Sequence, residues 1–511
     1  MKYTITPKEM QMLERTWMAR TGVPSALLME HAAQGIVEAL LRHVPATARV
    51  LFLCGPGNNG GDGFAAARLW QRQGGQSLLW EPRMVLSRDA LLNRDLALAA
   101  QVKITRMEDV FPPESDADAP FGCPADCPDA VVDALFGTGL SHAIVDDEFL
   151  RAIAAVNGLR ETGVPVIAAD IPSGIDGLTG EVRGMALHVD ETVCFHRIKP
   201  GLLLGEGPAH AGKITVKDIL IPADEGDVSG YQLLEEKDIS AMIPPRPVDC
   251  HKGTFGRTVL LVGAPGMAGA AAFCAKACVT AGAGLTTILC RESLLHTLQV
   301  LCPEAMCLPL PEEDGALLPE AADIARKALS QADAACVGCG LGRTEDLLPL
   351  MEVFRMAPCP VVWDADALYL LSRQPETFPL KEADVITPHW VEGLRLLGES
   401  DAAEDLKPLE MLEQLHELLG CTVLLKQPRT LITDGITTCI NTEASPALAK
   451  GGSGDVLAGV ITALMARGTL SSVHAAALGA LIHGLAGQRV ALQYGENCLT
   501  PQRLIEALRV R

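Results

Sequence analysis

Apolar residues are distributed along this chain in two patterns. Met10–Arg20, Pro24–Leu41 and Phe64–Gln73 carry them at helical spacing, whereas Val50–Cys54, Ala130–Leu135 and Val164–Ala169 are short apolar runs that end in loops containing Gly or Asp. Apolar strands alternating with helices predict a mostly parallel sheet, because such strands are covered on both faces. The second half repeats the style, with strands predicted at Thr258–Val262, Ala334–Val337, Val361–Trp363, Val385–Ile386 and Thr422–Leu425. Between residues 222 and 250 the pattern lapses into an acidic and then proline-rich stretch. The reading is α/β in two tandem domains, residues 1–222 and 245–511, with a linker over 223–244. Gly269–Cys290, the most apolar stretch, is rich in Gly and Ala and contains Lys276, which predicts packed core helix rather than a membrane span.

Composition narrows the function classes. The chain has 511 residues, 48% of them hydrophobic, enough for more than one core. With 42 Lys+Arg against 63 Asp+Glu the net charge is −21, which argues against nucleic acid or an anionic membrane as partner but leaves a phosphorylated small molecule open. The N-terminus has no apolar core of a signal peptide, so the 16 cysteines are expected as reduced thiols in a cytoplasmic protein. The single CxxC pair, Cys336–Cys339, is expected to serve packing beneath a glycine turn rather than a structural metal. Residues 111–128, rich in Pro, Asp and Cys, receive no role.

The loop Gly55-Pro-Gly-Asn58-Asn59-Gly60-Gly61-Asp62-Gly63 matches GxGxxG, and Glu81 ends the next predicted strand where a ribose-binding acid would stand. This pattern suggests a dehydrogenase. Asp62 argues against it, because a carboxylate at the helix entrance would repel a pyrophosphate; a plain N-cap role for Asp62 stays open. Asp133 and Asp170 end two further strands beside Gly-containing loops. Strand ends of a parallel sheet face one crevice, so these acids, with Asn and Ser, offer hard oxygen ligands for an alkali or alkaline-earth cation.

GPGNNGGDG, VDALFGTGL and DIPSGIDGLTG together resemble the N-terminal epimerase domain of the bifunctional NAD(P)H-hydrate repair enzymes, over about residues 1–220. The resemblance implies a Rossmann-like three-layer domain. It also implies hydrate binding by Asn58, Asn59, Gly60, Gly61 and Asp62, and by Gly137, Thr138, Gly139, Leu140, Ser141, His142 and Ala143. K+ would sit on Asn59, Asp133 and Ser173, with Asp170 contacting the substrate. The segment Cys194–Leu202 resembles the lysine-containing strand end of the same family.

In the second half, Lys450-Gly-Gly-Ser-Gly454-Asp455 leads into an apolar helix. Bare N–H groups at Gly452–Gly454 make an anion hole, and Asp455 stands where a base takes a proton from an alcohol attacking a phosphoryl group. An N-cap role is the alternative for Asp455. No GxxxxGK[ST] is present, which excludes a Walker P-loop. Further loops at Gly263–Ala270, Gly338–Gly342, Asp364–Asp366 and Thr387–Glu392 follow predicted strands.

HKGTFGR, GxGLG, DADAL, TPHxxE and KGGSGDVLAG resemble the ribokinase-like ADP/ATP-dependent dehydratase domain of the same family, over about residues 245–511. That implies substrate contacts from Ala270, Gly342, His389 and Asp455, and a nucleotide near Lys426, Gln427, Pro428, Arg429, Thr430 and Gly454, with Mg2+. Where the family shows KGxxT the chain has Lys426-Gln427-Pro428-Arg429-Thr430; Pro428 has no N–H to offer a phosphate, and Arg429 offers charge instead.

The expected activity is repair of hydrated NADH and NADPH (NADHX, NADPHX). R and S forms would be interconverted by the first domain, with Asp170 as polar catalyst. The S form would be dehydrated by the second at the expense of ADP or ATP, with Asp455 as base. A homo-oligomer is expected. The alternatives are a ribokinase-like vitamin or sugar kinase with a regulatory N-terminal half, an NAD-dependent dehydrogenase, and a nucleotide-sensing protein without activity.

Overall fold

The computed structural model describes residues 2–510 apart from 83, 107–126, 141, 227–229, 376–378 and 400–405. Its contacts divide the chain into two units, Tyr3–Gly230 and Met1–Lys2 with Tyr231–Arg511.

In the first unit seven strands form one sheet in the order Lys103–Ile104, Gln76–Trp80, Arg49–Cys54, Ala130–Ala134, Val166–Ala169, Glu191–Phe195, Lys213–Lys217. All neighbouring pairs run parallel. Alternate residues explain the layers. Val50, Phe52, Val132 and Ile167 pack with helices Ser25–His43 and Asn58–Arg72, while Leu51, Leu53, Val131 and Ala168 pack with Phe149, Ile153 and Val156 of Asp147–Glu161. Helices therefore cover both faces, giving a three-layer α/β unit. The strand predicted from Val164 starts at Val166, after Pro165.

In the second unit the strands Thr422–Leu425, Val385–Ile386, Val361–Trp363, Ala334–Val337, Arg257–Leu261, Leu285–Arg291 and Met306–Leu310 are neighbours in that order and parallel. Leu431–Thr433 and Thr438–Ile440 extend the sheet antiparallel. One face packs under Ala268–Thr280, Ser453–Met465 and Ser472–Tyr494 through Leu260, Ile288, Cys336 and Val362. Ser472–Tyr494 is long and apolar enough to cross a membrane, but 78% of its apolar window is buried inside this unit.

Three boundaries differ from expectation. Gly269–Cys290 is a helix, Ala268–Thr280, and a strand, Leu285–Arg291: the chain turns at Gly282 with φ +101°, and the β-branched Thr286, Thr287 and Ile288 favour the strand. The helix after the first glycine loop starts at Asn58 rather than Phe64. Within 223–244, the segment read as linker, Gln232–Leu233 is a strand pairing at Cys439 and Glu236–Met242 is a helix, while 227–229 lie outside the described residues.

The helices Ser453–Met465 and Ala268–Thr280 cross closely because Gly459 has no side chain. A Cβ there would stand 2.2 Å from the Cys274 carbonyl oxygen and 3.0 Å from the Ala277 Cβ. Gly459→Ala is expected to destabilise the second unit by about 1–3 kcal/mol, read as a lower urea midpoint for its unfolding transition.

Candidate functional sites

Each unit gathers its acids at the C-terminal ends of parallel strands. In the first, Asp133 is fully buried: its carboxylate accepts from Leu135 N at 3.2 Å, from Ser173 N at 2.7 Å and from the Ser173 hydroxyl at 2.5 Å. Burial pushes its pKa up to about 6 against these hydrogen bonds. The side-chain amide of Asn59 is buried with neither Oδ1 nor Nδ2 partnered. A Cβ on Gly137 would come within 3.0 Å of that amide. Asn59, Asp133 and Ser173 carry hard oxygen donors of the kind an alkali cation takes, and they are linked through Phe136, whose N–H donates to the Ser173 hydroxyl at 2.9 Å, and its neighbour Gly137 beside Asn59.

Asp170 holds φ +66°, an uncommon backbone for a residue with a side chain. Its Oδ1 accepts from Phe195 N at 3.0 Å and forms an ion pair with Lys199, whose ammonium is fully buried and also donates to the Phe195 carbonyl at 2.9 Å. Asp62 is buried nearby. Its pKa is raised well above the usual carboxylate range, first by desolvation and then by Glu14 and Asp170, with Lys199 opposing. This corrects the N-cap reading, because Asp62 lies inside the first turns of a helix capped by Gly57, and the upward shift weakens the charge with which it was expected to repel an anion. The GxGxxG reading fails instead at Glu81, which is clamped by Arg94 through two 2.6 Å bonds.

Asn58, Gly60 and Gly61 sit in the same helix start, with the Ser87 hydroxyl donating to Asn58 Oδ1 at 3.1 Å. Gly137, Thr138, Gly139, Leu140, His142 and Ala143 form a partly exposed loop after the Asp133 strand, closed by Leu140 N on Gly137 O at 3.2 Å. Ser141 lies outside the described residues.

In the second unit the centre is Lys426. Its ammonium donates to Asp364 Oδ1 at 2.8 Å and lies 3.8 Å from Glu392 Oε2, and the Thr387 hydroxyl donates to the same Asp364 oxygen at 2.7 Å. Asp455 is the third residue of its helix, not the N-cap, which is Gly452. Burial pushes the Asp455 carboxyl up to about 6, Asp364 adds to the rise, and Cys339 and Lys426 oppose it. Ligand atoms of Cys339, Asp364 and Asp455 all lie within 4.8 Å of one another. A Cβ on Gly454 would be 3.7 Å from the Lys426 ammonium, so the open N-terminus of the Asp455 helix and this cation face the same space. Both attract an anion.

The remaining predicted residues border this centre. Gly342 N donates to Asp366 Oδ2 at 2.9 Å, and a Cβ on Gly340 would sit 2.7 Å from that of Ala270, so these two loops abut. His389 caps its helix reciprocally with Glu392, and its backbone pairs with Lys426. Burial lowers its pKa, favouring the neutral imidazole. Gln427 O accepts from the Thr430 hydroxyl at 3.2 Å, Pro428 is exposed, and Arg429 is half-buried with Glu443 as its charged neighbour. The CxxC sulfurs of Cys336 and Cys339 lie with that of Cys274 in a buried group, all within 4.8 Å of one another.

Sequence reasoning did not assign Asp364, Lys199 or Glu14. The first two had a visible signal, DADAL and HRIKPG at strand ends; Glu14 had none beyond its place on a helix.

The family described as YjeF-related protein N-terminus matches residues 25–201, and the family described as NAD(P)H-hydrate dehydratase matches 258–509. A bifunctional NAD(P)H-hydrate repair enzyme Nnr from Moorella thermoacetica is 33% identical over 520 residues, covering 99% of this chain and 96% of the relative. The protein of the same description from Escherichia coli K12 is 32% identical over 488 residues, covering 94% and 88%. The solved ADP/ATP-dependent NAD(P)H-hydrate dehydratase from Bacillus subtilis, co-crystallized with ATP/Mg2+, is 26% identical and covers 55% of this chain and 96% of its own, with a TM-score of 0.47.

Lys426→Met leaves Asp364 and Glu392 without their ammonium. The loss is expected to cost about 3 kcal/mol or less, since Lys426 keeps some solvent access, measured by denaturant unfolding. The Asp455 carboxyl should then titrate above its wild-type value of about 6, read from carboxyl-carbon NMR.

Proposed function

The chain belongs to the bifunctional NAD(P)H-hydrate repair enzymes, and from that premise we propose which of its residues carry each of the two reactions. The family's activity is epimerisation of hydrated NADH and NADPH in the first domain and ADP- or ATP-dependent dehydration in the second.

For the dehydratase, the observation that carries the reading is the convergence of Asp455, the Lys426 ammonium and an open helix N-terminus. Asp455 takes the proton from the C6 hydroxyl of the S hydrate as that oxygen attacks the terminal phosphoryl group of the nucleotide. Lys426 and the N–H groups of Gly452–Gly454 meet the charge that develops on the phosphoryl oxygens. Phosphate then departs with the C6–O bonding electrons while a proton leaves C5, and the ring regains its double bond. Hydroxide leaves poorly and phosphate leaves well, which is why a nucleotide is consumed. Ala270, Gly342 and His389 border the nicotinamide side. Gln427, Pro428, Arg429, Thr430 and Gly454 border the nucleotide, with the Arg429 charge standing in for the N–H that Pro428 lacks. Mg2+ arriving with the nucleotide offsets phosphate charge, and the carboxylates of Asp364 and Asp455 are the hard donors beside it.

For the epimerase, Asn58–Asp62 and Gly137–Ala143 hold the hydrate, and Asp170, oriented by Lys199, is the polar catalyst. Asn59, Asp133 and Ser173 hold K+, and the unpartnered amide of Asn59 supports that assignment. When bound there, K+ would supply local positive charge between the two loops. We place the enzyme in the cytoplasm as a homo-oligomer; native mass measurement tests the latter.

The deciding assay mixes full-length protein with purified R and S NADPH hydrates, with ADP or ATP, with and without K+, and follows recovery of reduced-nicotinamide absorbance. Asp455→Asn is expected to lower dehydration at least about 100-fold while R and S still interconvert; unchanged dehydration would sink the Asp455 assignment, and a stable phosphorylated alcohol would point to a kinase. Asp170→Asn is expected to stall the R form alone. Because Asp455 works as the carboxylate, dehydration should fall as pH drops through about 6.

A further inference from the structure

We propose that Glu14 is the second acid–base group of the epimerase site, working with Asp170 across the C6 carbon. The inference rests on the reading of Asp170 as that site's polar catalyst.

Glu14 lies in the helix Pro7–Thr21, whose inward face carries Met10, Leu13 and Trp17. Positions 10, 13, 14 and 17 share one face at helical spacing, so a carboxyl group occupies a place where the pattern calls for an apolar side chain. The helix is fixed against the loops that carry the site. Ile5 N, just before it, donates to Ile198 O at 3.0 Å, next to Lys199, and a Cβ on Gly177, in the loop after Asp170, would stand 2.8 Å from Pro7. Of the other charged groups on the helix, Glu9 closes a capping box with Thr6, Arg20 pairs with Glu225 at 2.6 Å, and Lys8 and Arg15 are exposed. Among the described residues Glu14 accepts no hydrogen bond and closes no ion pair.

The charges that act on Glu14 are those of Lys199 and Asp170, and Glu14 in turn acts on Asp62. Three carboxyl groups therefore share one buried ammonium, which is already engaged by Asp170. They do not all ionise at neutral pH. Asp62 is buried within its helix, while Glu14 keeps partial exposure, so Glu14 is the member able to exchange a proton with a bound ligand. Its pKa is pushed up to about 7, chiefly by burial, with Lys199 opposing and Asp170 adding. A group poised there is suited to giving and taking protons.

Inverting C6 needs proton transfer on both faces of the ring, which a single carboxylate held by Lys199 does not provide. The protonated Glu14 donates to the C6 hydroxyl, the C6–O bond breaks with its electrons leaving in water, and the ring nitrogen lone pair closes an iminium. Water then adds to the opposite face as Asp170 takes its proton, and the C6–O bond re-forms with inverted configuration. One proton has passed from Glu14 to Asp170, and the reverse direction returns it.

The test uses full-length E14Q, E14D and D170N with the R hydrate and no nucleotide, separating the epimers by chromatography and subtracting spontaneous equilibration. Dehydration of the S hydrate serves as the control in each. E14Q is expected to lower the epimerisation kcat at least about 100-fold and E14D to recover part of it. The wild-type rate should decline as pH rises through about 7, and E14D should move that limb. The dehydration control should stay at wild-type rate throughout. If D170N is inactive while E14Q runs within twofold of wild type with the same pH profile, the role of Glu14 is overturned. If D170N also runs at wild-type rate, the underlying site reading fails. Where E14Q loses the thermal transition of the first unit, E14D decides: an unmoved pH limb overturns the proposal.

Discussion

A buried ammonium set against more carboxyl groups than it can neutralise is the constraint common to both sites. Lys199 faces Asp170, Asp62 and Glu14; Lys426 faces Asp364, Glu392 and Asp455. Removing water makes each unpaired carboxylate costly, so the surplus acids are pushed toward neutrality and acquire pKa values near the working pH. Asp455 at about 6 and Glu14 at about 7 are the outcome. On the proposed assignments, acid–base reactivity follows from an unbalanced charge count, and no unusual side-chain chemistry is needed.

The parallel sheet creates that imbalance. Every parallel strand delivers its C-terminal end to the same edge, so Asp133 and Asp170 in one unit, and Asp364 in the other, arrive close together. Each lysine comes from a strand end as well, Lys199 shortly after Glu191–Phe195 and Lys426 immediately after Thr422–Leu425. The fixed backbone around them does the positioning: Phe195 supplies both an N–H to Asp170 and a carbonyl to Lys199, and Pro388 O holds Lys426 N at 2.8 Å. Charges held in this way by backbone groups are the kind of preorganised donors that electrostatic stabilisation of a transition state uses.

The strands were legible because buried parallel strands read as unbroken apolar runs. Arg257–Leu261 and Ala334–Val337 agree with the pattern to within a residue. The helix starts were not. Asn58–Gly63 has the composition of a loop, yet the chain enters the helix at Asn58, because packing against the sheet outweighs the poor propensity of three glycines. Asp133, Asp170 and Asp455 were visible as acids at glycine loops. The pairing was not: Lys426 was expected near a nucleotide and Asp364 stood in DADAL, but they are 62 positions apart and only the fold joins them. Glu14 was hidden for a different reason: one acid on the face of an amphipathic helix is ordinary until its surroundings are known.

The same electrostatics bears on the altered nucleotide loop. A backbone N–H offers a phosphate a dipole with no charge to desolvate, whereas Arg429 offers a full charge whose pKa burial already lowers. Exchanging the first for the second at Pro428–Arg429 makes nucleotide contact depend more on Coulomb attraction and less on fixed geometry. Lys426, one turn of chain away, is locked by Asp364 and does not drift to compensate. Among the described residues Arg429 has Glu443 as its charged neighbour and closes no ion pair, which leaves its charge available to a phosphate on the proposed assignment. On the proposed assignment Lys426 is the fixed charge at the reacting phosphoryl group, and Arg429 is a second charge farther along the nucleotide.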